Sequence, residues 1–260
     1  MDKKKLKIKD GIPAMIAGAA IFVIWFLLTD TELIPKFMLP SPISVIKAFI
    51  NDFGLLMQHA WVSVQESVFG LLIGFAVAVL ISVLMDRFSF IYKSFYPMLI
   101  ITQTIPTIAI APLLILWMGF GMAPKITLVT LTSFFPIAVN MLEGFKSVDE
   151  DEINLLRSFG ASKFQIYYYV KFPLARPHFF AGLKIATAYS VVAAVISEWL
   201  GGFEGLGVYM TRVKKAYAMD KMFAVIILIT ILSLIMISIV NKIENAMRKE
   251  GRKKCKKSSL

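Results

Sequence analysis

The sequence is poor in the residues that build metal centres and covalent cross-links. It has one cysteine, Cys255, and two histidines, His59 and His178, among 260 residues. A single cysteine excludes an intramolecular disulfide, and two isolated histidines are too few for a metal-ligand set. A phosphate-binding motif of the form Gly-x-x-x-x-Gly-Lys-Ser/Thr is also absent from the sequence. We therefore expect no metal, no cofactor and no nucleotide site in this chain.

Charged residues are scarce along several long stretches. The chain is 58% hydrophobic with a mean hydropathy of +0.73, whereas soluble domains carry roughly 45–50% apolar residues. A membrane-spanning helix needs roughly 17–25 mostly apolar residues. The sequence predicts an all-α integral membrane protein with one transmembrane domain, residues 1–260. Its six predicted spans lie at about 11–29, 66–85, 96–118, 125–142, 182–200 and 222–241.

The positive charge of the chain is concentrated at its two ends. Residues 1–10 carry five lysines and two aspartates, and residues 241–260 carry eight Lys or Arg and two Glu, which gives +3 and +6 of the formal +11. The positive-inside rule then places both termini in the cytoplasm, which agrees with an even number of spans. This distribution favours contact with lipid headgroups, so we expect no nucleic-acid partner. The basic residues between spans five and six disagree with this topology: Arg212, Lys214, Lys215 and Lys221.

The longest polar segment in the interior, residues 147–176, falls between the fourth and fifth spans. Ser147 or Asp149 is suited to cap a first helix, whose first turn holds three acidic residues. Gly160 is placed to end that helix in a left-handed turn. Ser162 and Gln165 form a capping-box pattern for a second helix, which we expect to stop before Pro173. The sequence therefore predicts helix, glycine turn, helix on the cytoplasmic side.

The same segment carries apolar residues that need to be covered. A free cytoplasmic loop would expose to water the apolar side chains of Leu155, Leu156, Phe159 and Phe164. A docked partner protein is the simplest cover. A solvated loop resting on lipid headgroups is the alternative.

The segment resembles the cytoplasmic loop of ABC-importer permeases. That family has the pattern Glu-Ala-Ala, three residues, Gly, nine residues, Ile-x-Leu-Pro. Here the spacing is kept as Asn154-Leu155-Leu156, Gly160 and Val170-Lys171-Phe172-Pro173, with a different first triplet. The stretches 39–42 (Leu-Pro-Ser-Pro) and 197–207 (Ser-Glu-Trp-Leu-Gly-Gly-Phe-Glu-Gly-Leu-Gly) are similar to the branch that imports sulfonates, nitrate, taurine and thiamine-precursor pyrimidines.

This resemblance implies a fold, partners and a place in the cell. The fold is that of a type I ABC importer permease, in the bacterial inner membrane, working as a permease homodimer. Two cytoplasmic ATPase subunits hold ATP and Mg²⁺, so this chain is a transport subunit and not an enzyme, and an extracytoplasmic binding protein delivers the substrate. The residues implied to couple the chain to the ATPase are Asn154, Leu155, Leu156, Phe159, Gly160, Ala161, Ser162, Lys163 and Pro173.

Polar residues within the spans are candidates for a translocation path, because such groups tend to face a bundle interior. The candidates are Gln103, Ser133, Asn140 and Glu198. Hydrogen bonds that only hold helices together are the alternative for each, and for Glu198 solvation at the outer interface is a further one. An ion-gradient-driven secondary transporter is the alternative function. It usually requires acidic residues or histidines near the middle of the bilayer, and of these only Glu198 is close.

Overall fold

The computed structural model describes residues 3–31, 34–35 and 37–258, and every regular element in them is helical. The predictions for Cys255 and for the charged side chains at positions 1–10 and 250–260 lie outside the described side chains. The helices are α1 (Lys3–Asp30), α2 (Pro42–Asn51), α3 (Phe53–Arg87), α4 (Ser89–Thr104), α5 (Thr107–Met118), α6 (Met122–Lys146), α7 (Glu150–Ser158), α8 (Lys163–Ile166), α9 (Phe172–Gly201), α10 (Leu206–Lys215) and α11 (Met219–Ser258), with a π-helical turn at Tyr167–Lys171.

Four helical segments of the described chain are long and apolar enough to cross a membrane: Phe53–Arg87, Met122–Lys146, Lys163–Gly201 and Met219–Lys249. The pair α4–α5 makes a fifth if it is counted as one broken span. The first predicted span, 11–29, lies in α1, whose described apolar part, Met15–Asp30, is a shorter helix. A multi-pass helical membrane protein follows from these lengths, and the count of six remains a prediction.

The predicted third span, 96–118, is broken. The axes of α4 and α5 meet at 102° across Ile105 and Pro106. Ile105 has an extended backbone, φ −81° and ψ 120°, because a residue that precedes a proline is pushed out of the helical region. Pro97 and Pro112 lie inside helices that continue past them. Only one of the prolines in this stretch therefore redirects the chain.

The chain divides into two compact units, one formed by residues up to Met57 with Tyr209–Leu228 and the other by Gln58–Val208 with the residues from Ile229 onward. In the second unit, α6 packs along α9. A side chain at Gly182 would meet the carbonyl oxygen of Pro136 at 2.4 Å, and one at Gly144 would meet Ala175 at 2.8 Å. Small residues of this kind allow two helix backbones to approach closely. Whether residues 1–260 act as one domain stays a prediction.

The prediction that the second helix of residues 147–176 stops before Pro173 is wrong. Helical structure runs without interruption from Lys163 to Gly201, through the π-helical turn at Tyr167–Lys171. The amide of Phe172 donates to the carbonyl of Tyr167 at the end of this turn. Pro173 is the second residue of α9, directly after this turn, and the helix continues past it. One helical rod therefore joins the loop segment to the far end of α9.

The first unit is held by a small set of polar and aromatic contacts. The indole N–H of Trp25 donates to the carbonyl of Pro40 at 3.0 Å, and its ring lies 6.0 Å from that of Phe223. Asp52, between α2 and α3, accepts from Lys221 Nζ at 2.7 Å and from the hydroxyl of Tyr209. The hydrogen bonds from Lys221 and Tyr209 lower the pKa of Asp52 below its usual value. Tyr209 belongs to α10, a helix that the sequence analysis did not predict.

Candidate functional site

Residues 147–176, here called the loop segment, form the helix, glycine turn and helix that the sequence predicts. Asp149, and not Ser147, caps α7, since its carboxylate accepts from the amide of Asp151 at 3.0 Å. Ser162 and Gln165 make the predicted capping box at the start of α8. Both caps use neighbours three residues away or fewer, so the local sequence alone specifies them.

Gly160 makes the turn between the two helices. Its φ is +77°, and no atom lies within 4 Å of the position a Cβ would take. The amide of Gly160 donates to the carbonyl of Arg157 at 2.9 Å, and that of Ala161 to the carbonyl of Leu156 at 3.0 Å. Glycine adopts this left-handed conformation without strain, which explains its place in the pattern.

The turn presents large apolar side chains outward. Leu155 is 59% exposed, Phe159 79% and Phe164 77%. Leu156 and Ala161 are half-buried beside them, and Asn154, Ser162, Lys163 and Pro173 are exposed. Groups of exposed large apolar side chains mark interaction surfaces. We call Leu155, Phe159 and Phe164 the apolar tip of the loop segment.

The root of the loop segment is fixed to the bundle. Asp86, near the end of α3, accepts from the hydroxyl of Tyr167 and from Lys171 Nζ. The ring of Phe145 meets those of Tyr167 and Phe172 edge-on, at 5.8 and 5.5 Å between centroids. The root is therefore in contact with both α3 and α6.

The four polar candidates within the spans lie in different environments. Gln103 lines a cavity of about 390 Å³ between the α4–α5 bend and helices α6 and α9. Ser133 is fully buried against α3, its Cβ 3.2 Å from the position a Cβ would take at Gly74. Asn140 donates to the carbonyl of Pro136, within its own helix, at 2.8 Å. The structure brings Gln103 into a cavity and does not bring the four together, so their shared role in a path stays a prediction.

Glu198 is 1% exposed, so solvation at the outer interface is not its environment. Its carboxylate accepts from Ser63 Oγ at 2.5 Å and from the amide of Gly207 at 2.5 Å. The buried Lys125 lies nearby, and its Nζ bonds Glu66 Oε1 at 2.7 Å. We call Glu66, Lys125 and Glu198 the buried charge cluster. A buried cation between buried carboxylates offsets part of the cost of removing these charges from water.

Glu66 and Lys125 were not predicted as members of a site, because each stands at the start of a predicted span. The signal available was that all three residues sit at one end of an antiparallel set of spans. Lys125 also donates to the carbonyl of Glu204 at 3.3 Å, and His59 Nδ1 accepts from the amide of Gly205 at 3.0 Å. The cluster therefore holds the connection between α9 and α10.

Known proteins resemble this chain in sequence and in fold. A probable ABC transporter permease protein of Haemophilus influenzae is 34% identical over 229 residues, which cover 88% of this chain and 93% of that protein. A formylaminopyrimidine transport permease protein of Halalkalibacterium halodurans is 33% identical, over 81% of this chain and 85% of that protein.

A solved structure of the MetNI methionine ABC transporter, in an inward-facing conformation, contains a chain with the same fold. The TM-score is 0.67 over 75% of this chain and 96% of that one, at 20% identity. The family of binding-protein-dependent transport system inner membrane components matches residues 70–249, which include α6, the loop segment, α9 and most of α11. This chain therefore belongs to the family of binding-protein-dependent transport system inner membrane components, the permeases of ABC transporters.

Proposed function

We propose that this chain is the permease subunit of an ATP-driven type I importer that carries a small polar or anionic nutrient into the cell. The single observation that carries the proposal is the exposed apolar tip on a loop segment whose root is fixed to α3. Sulfonates, nitrate, taurine and thiamine-precursor pyrimidines are the substrate types to which the sequence resemblance points. The name of the Halalkalibacterium halodurans relative supports the pyrimidine type.

The proposed assembly supplies what this chain lacks. Two copies of the chain form the path, two cytoplasmic ATPase subunits hold ATP and Mg²⁺, and an extracytoplasmic binding protein delivers the substrate. The chain itself uses no cofactor. It spans the bacterial inner membrane six times, with α1 as the first span and the α4–α5 pair as the third, and both termini lie in the cytoplasm. The basic ends of the sequence support this orientation.

In the proposed mechanism the apolar tip docks in the ATPase, and the closing of the ATPase pair moves it. The continuous helix from Lys163 to Gly201 supports this coupling, since a rigid helix transmits a displacement along its axis. Its far end carries Glu198, which bonds the α9–α10 connection. Movement of the loop segment would thus reach the opposite end of the bundle.

Co-purification of this chain with its ATPase in mild detergent tests the proposal. We expect the wild-type chain to retain the ATPase and Leu155→Asp to lose it, because the variant places a charge at an apolar contact. Leu155→Met preserves the apolar surface, and Tyr217→Asp adds the same charge at a 78% exposed residue outside the loop segment. Both controls should retain the ATPase. Absence of the ATPase from the wild-type chain would contradict the proposal.

An ion-gradient-driven carrier is the second candidate, and the buried carboxylates of Glu66 and Glu198 favour it. It predicts uptake that collapses when the ion gradient is dissipated and that continues without ATP. The importer proposal predicts uptake that stops without ATP and continues when the ion gradient is dissipated. Uptake into proteoliposomes, with ATP or with a gradient but not both, separates the two candidates.

A further inference from the structure

The cavity beside the α4–α5 bend contains no formal charge. It is lined from α4, α5, α6 and α9, and among the described residues that line it none is acidic, basic or a histidine. Its volume of about 390 Å³ falls in the range of roughly 300–1,000 Å³ that small-molecule sites occupy. The cavity is therefore large enough for a nutrient of low molecular weight but provides no counter-charge.

A second copy of the chain would not add a counter-charge from the same stretches of sequence. Residues 94–124, 126–142 and 185–197 contain no Asp, Glu, Lys, Arg or His. Of the cations next to these stretches, Lys125 bonds Glu66 at 2.7 Å, Lys184 bonds Glu244 at 2.6 Å, and Lys93 does not line the cavity. An anion that leaves water for such a site loses its hydration and gains no ion pair, which costs several kcal/mol for a single ion. The lining thus disfavours sulfonate and nitrate.

The polar groups of the cavity suit a neutral solute with both donors and acceptors. Thr102 Oγ1 donates to the carbonyl of Leu99 at 2.7 Å, and Thr132 Oγ1 donates to the carbonyl of Val129 at 3.0 Å. These hydroxyl protons are already used, so the two oxygens are left as acceptors. Gln103 adds an amide that both donates and accepts. The hydroxyls of Thr107 and Tyr189 also line the cavity and can donate or accept. Such a neutral mixture of donors and acceptors can bond both the N–H groups and the nitrogen atoms of an uncharged ring.

Most of the other residues that line the cavity are apolar, and two of the lining residues are aromatic. Phe134 and Tyr189 line it together with aliphatic residues such as Ile105 and Leu131. Aromatic rings of this kind favour stacking against a flat ring system. A planar solute that carries nitrogen atoms at its edge matches both the rings and the amide.

From this chemistry we propose that the cavity takes an uncharged nitrogen heterocycle of single-ring size, with Gln103 as the residue that sets its specificity. The inference rests on the proposed function, because it assigns the substrate class of that import path. It separates the candidate substrates: an aminopyrimidine fits the cavity, and sulfonate, taurine and nitrate do not. Selection by an external binding protein would come before this site and would not replace it.

Direct titration of the chain in lipid nanodiscs tests the inference without the ATPase or the binding protein. The probes are 4-amino-5-hydroxymethyl-2-methylpyrimidine, at a pH at which its ring is uncharged, and ethanesulfonate. We expect the wild-type chain to bind the pyrimidine and not ethanesulfonate. Gln103→Leu should weaken pyrimidine binding about tenfold, the effect of losing one to two hydrogen bonds. Gln103→Arg should weaken it likewise and gain ethanesulfonate binding.

The same changes at Gln58, an exposed glutamine of α3 that does not line the cavity, are the matched controls and should alter neither titration. Ethanesulfonate binding to the wild-type chain as tight as that of the pyrimidine, or binding of neither probe, would overturn the inference. So would a Gln103→Arg variant that binds both probes like the wild-type chain. Retention of the ATPase together with any of these results would leave the importer function standing and reject only the substrate class.

Discussion

The two ends of the α6–α9 pair are built in opposite ways. At one end the members of the buried charge cluster find partners within the chain: Lys125 bonds Glu66 Oε1, and Glu198 accepts from Ser63 and from the amide of Gly207, while Glu66 Oε2 has no hydrogen-bond partner among the described residues. At the other end the loop segment is fixed at its root, by contacts that include Asp86 and Phe145, and its apolar tip is exposed. One end is buried within a single chain, and the other has an exposed apolar surface.

The buried charge cluster and the exposed apolar tip should therefore affect different properties of the chain, its folding and its association with other proteins. A buried charge without a partner destabilises the fold directly, so the ion pair inside the cluster contributes to the stability of the chain itself. Exposed apolar side chains change the stability of the isolated chain little, and they contribute free energy of binding when another protein covers them. We therefore expect changes at the cluster to act on the stability of the chain, and changes at the apolar tip to act on its association.

The largest expected effect is that of Lys125→Met, which would leave two buried carboxylates without a cation. Breaking a buried ion pair from one side costs about 3–5 kcal/mol. We expect a large drop in the thermal midpoint of the detergent-solubilised chain, measured by loss of helical circular dichroism. Lys93→Met removes an exposed lysine and should leave the midpoint unchanged. Equal midpoints for the two variants would show that the cluster does not stabilise the fold.

Gly205, beside the buried charge cluster, and Gly160, in the loop segment, both have positive φ and allow the two ends to be compared directly. A Cβ at Gly205, with φ +119°, would lie 2.2 Å from the carboxyl carbon of Glu198, whereas one at Gly160 would meet nothing within 4 Å. Gly205→Ala adds a clash to backbone strain and should cost about 2–4 kcal/mol. Gly160→Ala should cost about 1–2 kcal/mol from strain alone. The same thermal measurement on both variants checks the order, and a reversed order would contradict the contrast between the ends.

Asp52 offers a partly exposed ion pair for comparison with the buried cluster. Its lowered pKa means that the pair with Lys221 stabilises the fold above the ordinary carboxyl value of 3.8, and that this contribution is lost as the pH falls through the lower pKa of the folded chain. Asp52→Asn should cost about 1 kcal/mol or less at neutral pH. The difference in thermal midpoint between variant and wild-type chain should shrink as the pH is lowered to 3. A difference that is independent of pH would contradict the role of the charge.

The smallest effect on the isolated chain is expected at the apolar tip. Phe159→Ser removes a side chain that is 79% exposed, and exposed substitutions usually change stability by no more than about 0.5 kcal/mol. The thermal midpoint should stay at its wild-type value, while retention of the ATPase in co-purification falls. A midpoint that falls as far as that of Lys125→Met would mean that Phe159 supports the fold itself.

The local features of the loop segment were predictable from the sequence. The cap at Asp149, the turn at Gly160 and the capping box of Ser162 and Gln165 each depend on residues at most a few positions apart. The end of the second helix was not predictable, because the π-helical turn before Pro173 is accompanied by contacts with Asp86 on α3. At the candidate path, the sequence indicates Gln103 as a polar residue of the predicted third span, but the cavity that it lines is formed by four helices.

The sequence by itself determined that the chain is rich in apolar helices, that a polar segment lies between α6 and α9, and that this segment carries the family pattern, since these are properties of composition and short spacing. The tertiary structure alone decided that Glu66, Lys125 and Glu198 meet, 59 and 73 residues apart along the chain. It also decided which residues line the cavity beside Gln103, and none of the described lining residues carries a formal charge. The physical reason is that the environment of a polar group inside a helical bundle depends on which helices pack around it, and that packing is a property of the whole chain.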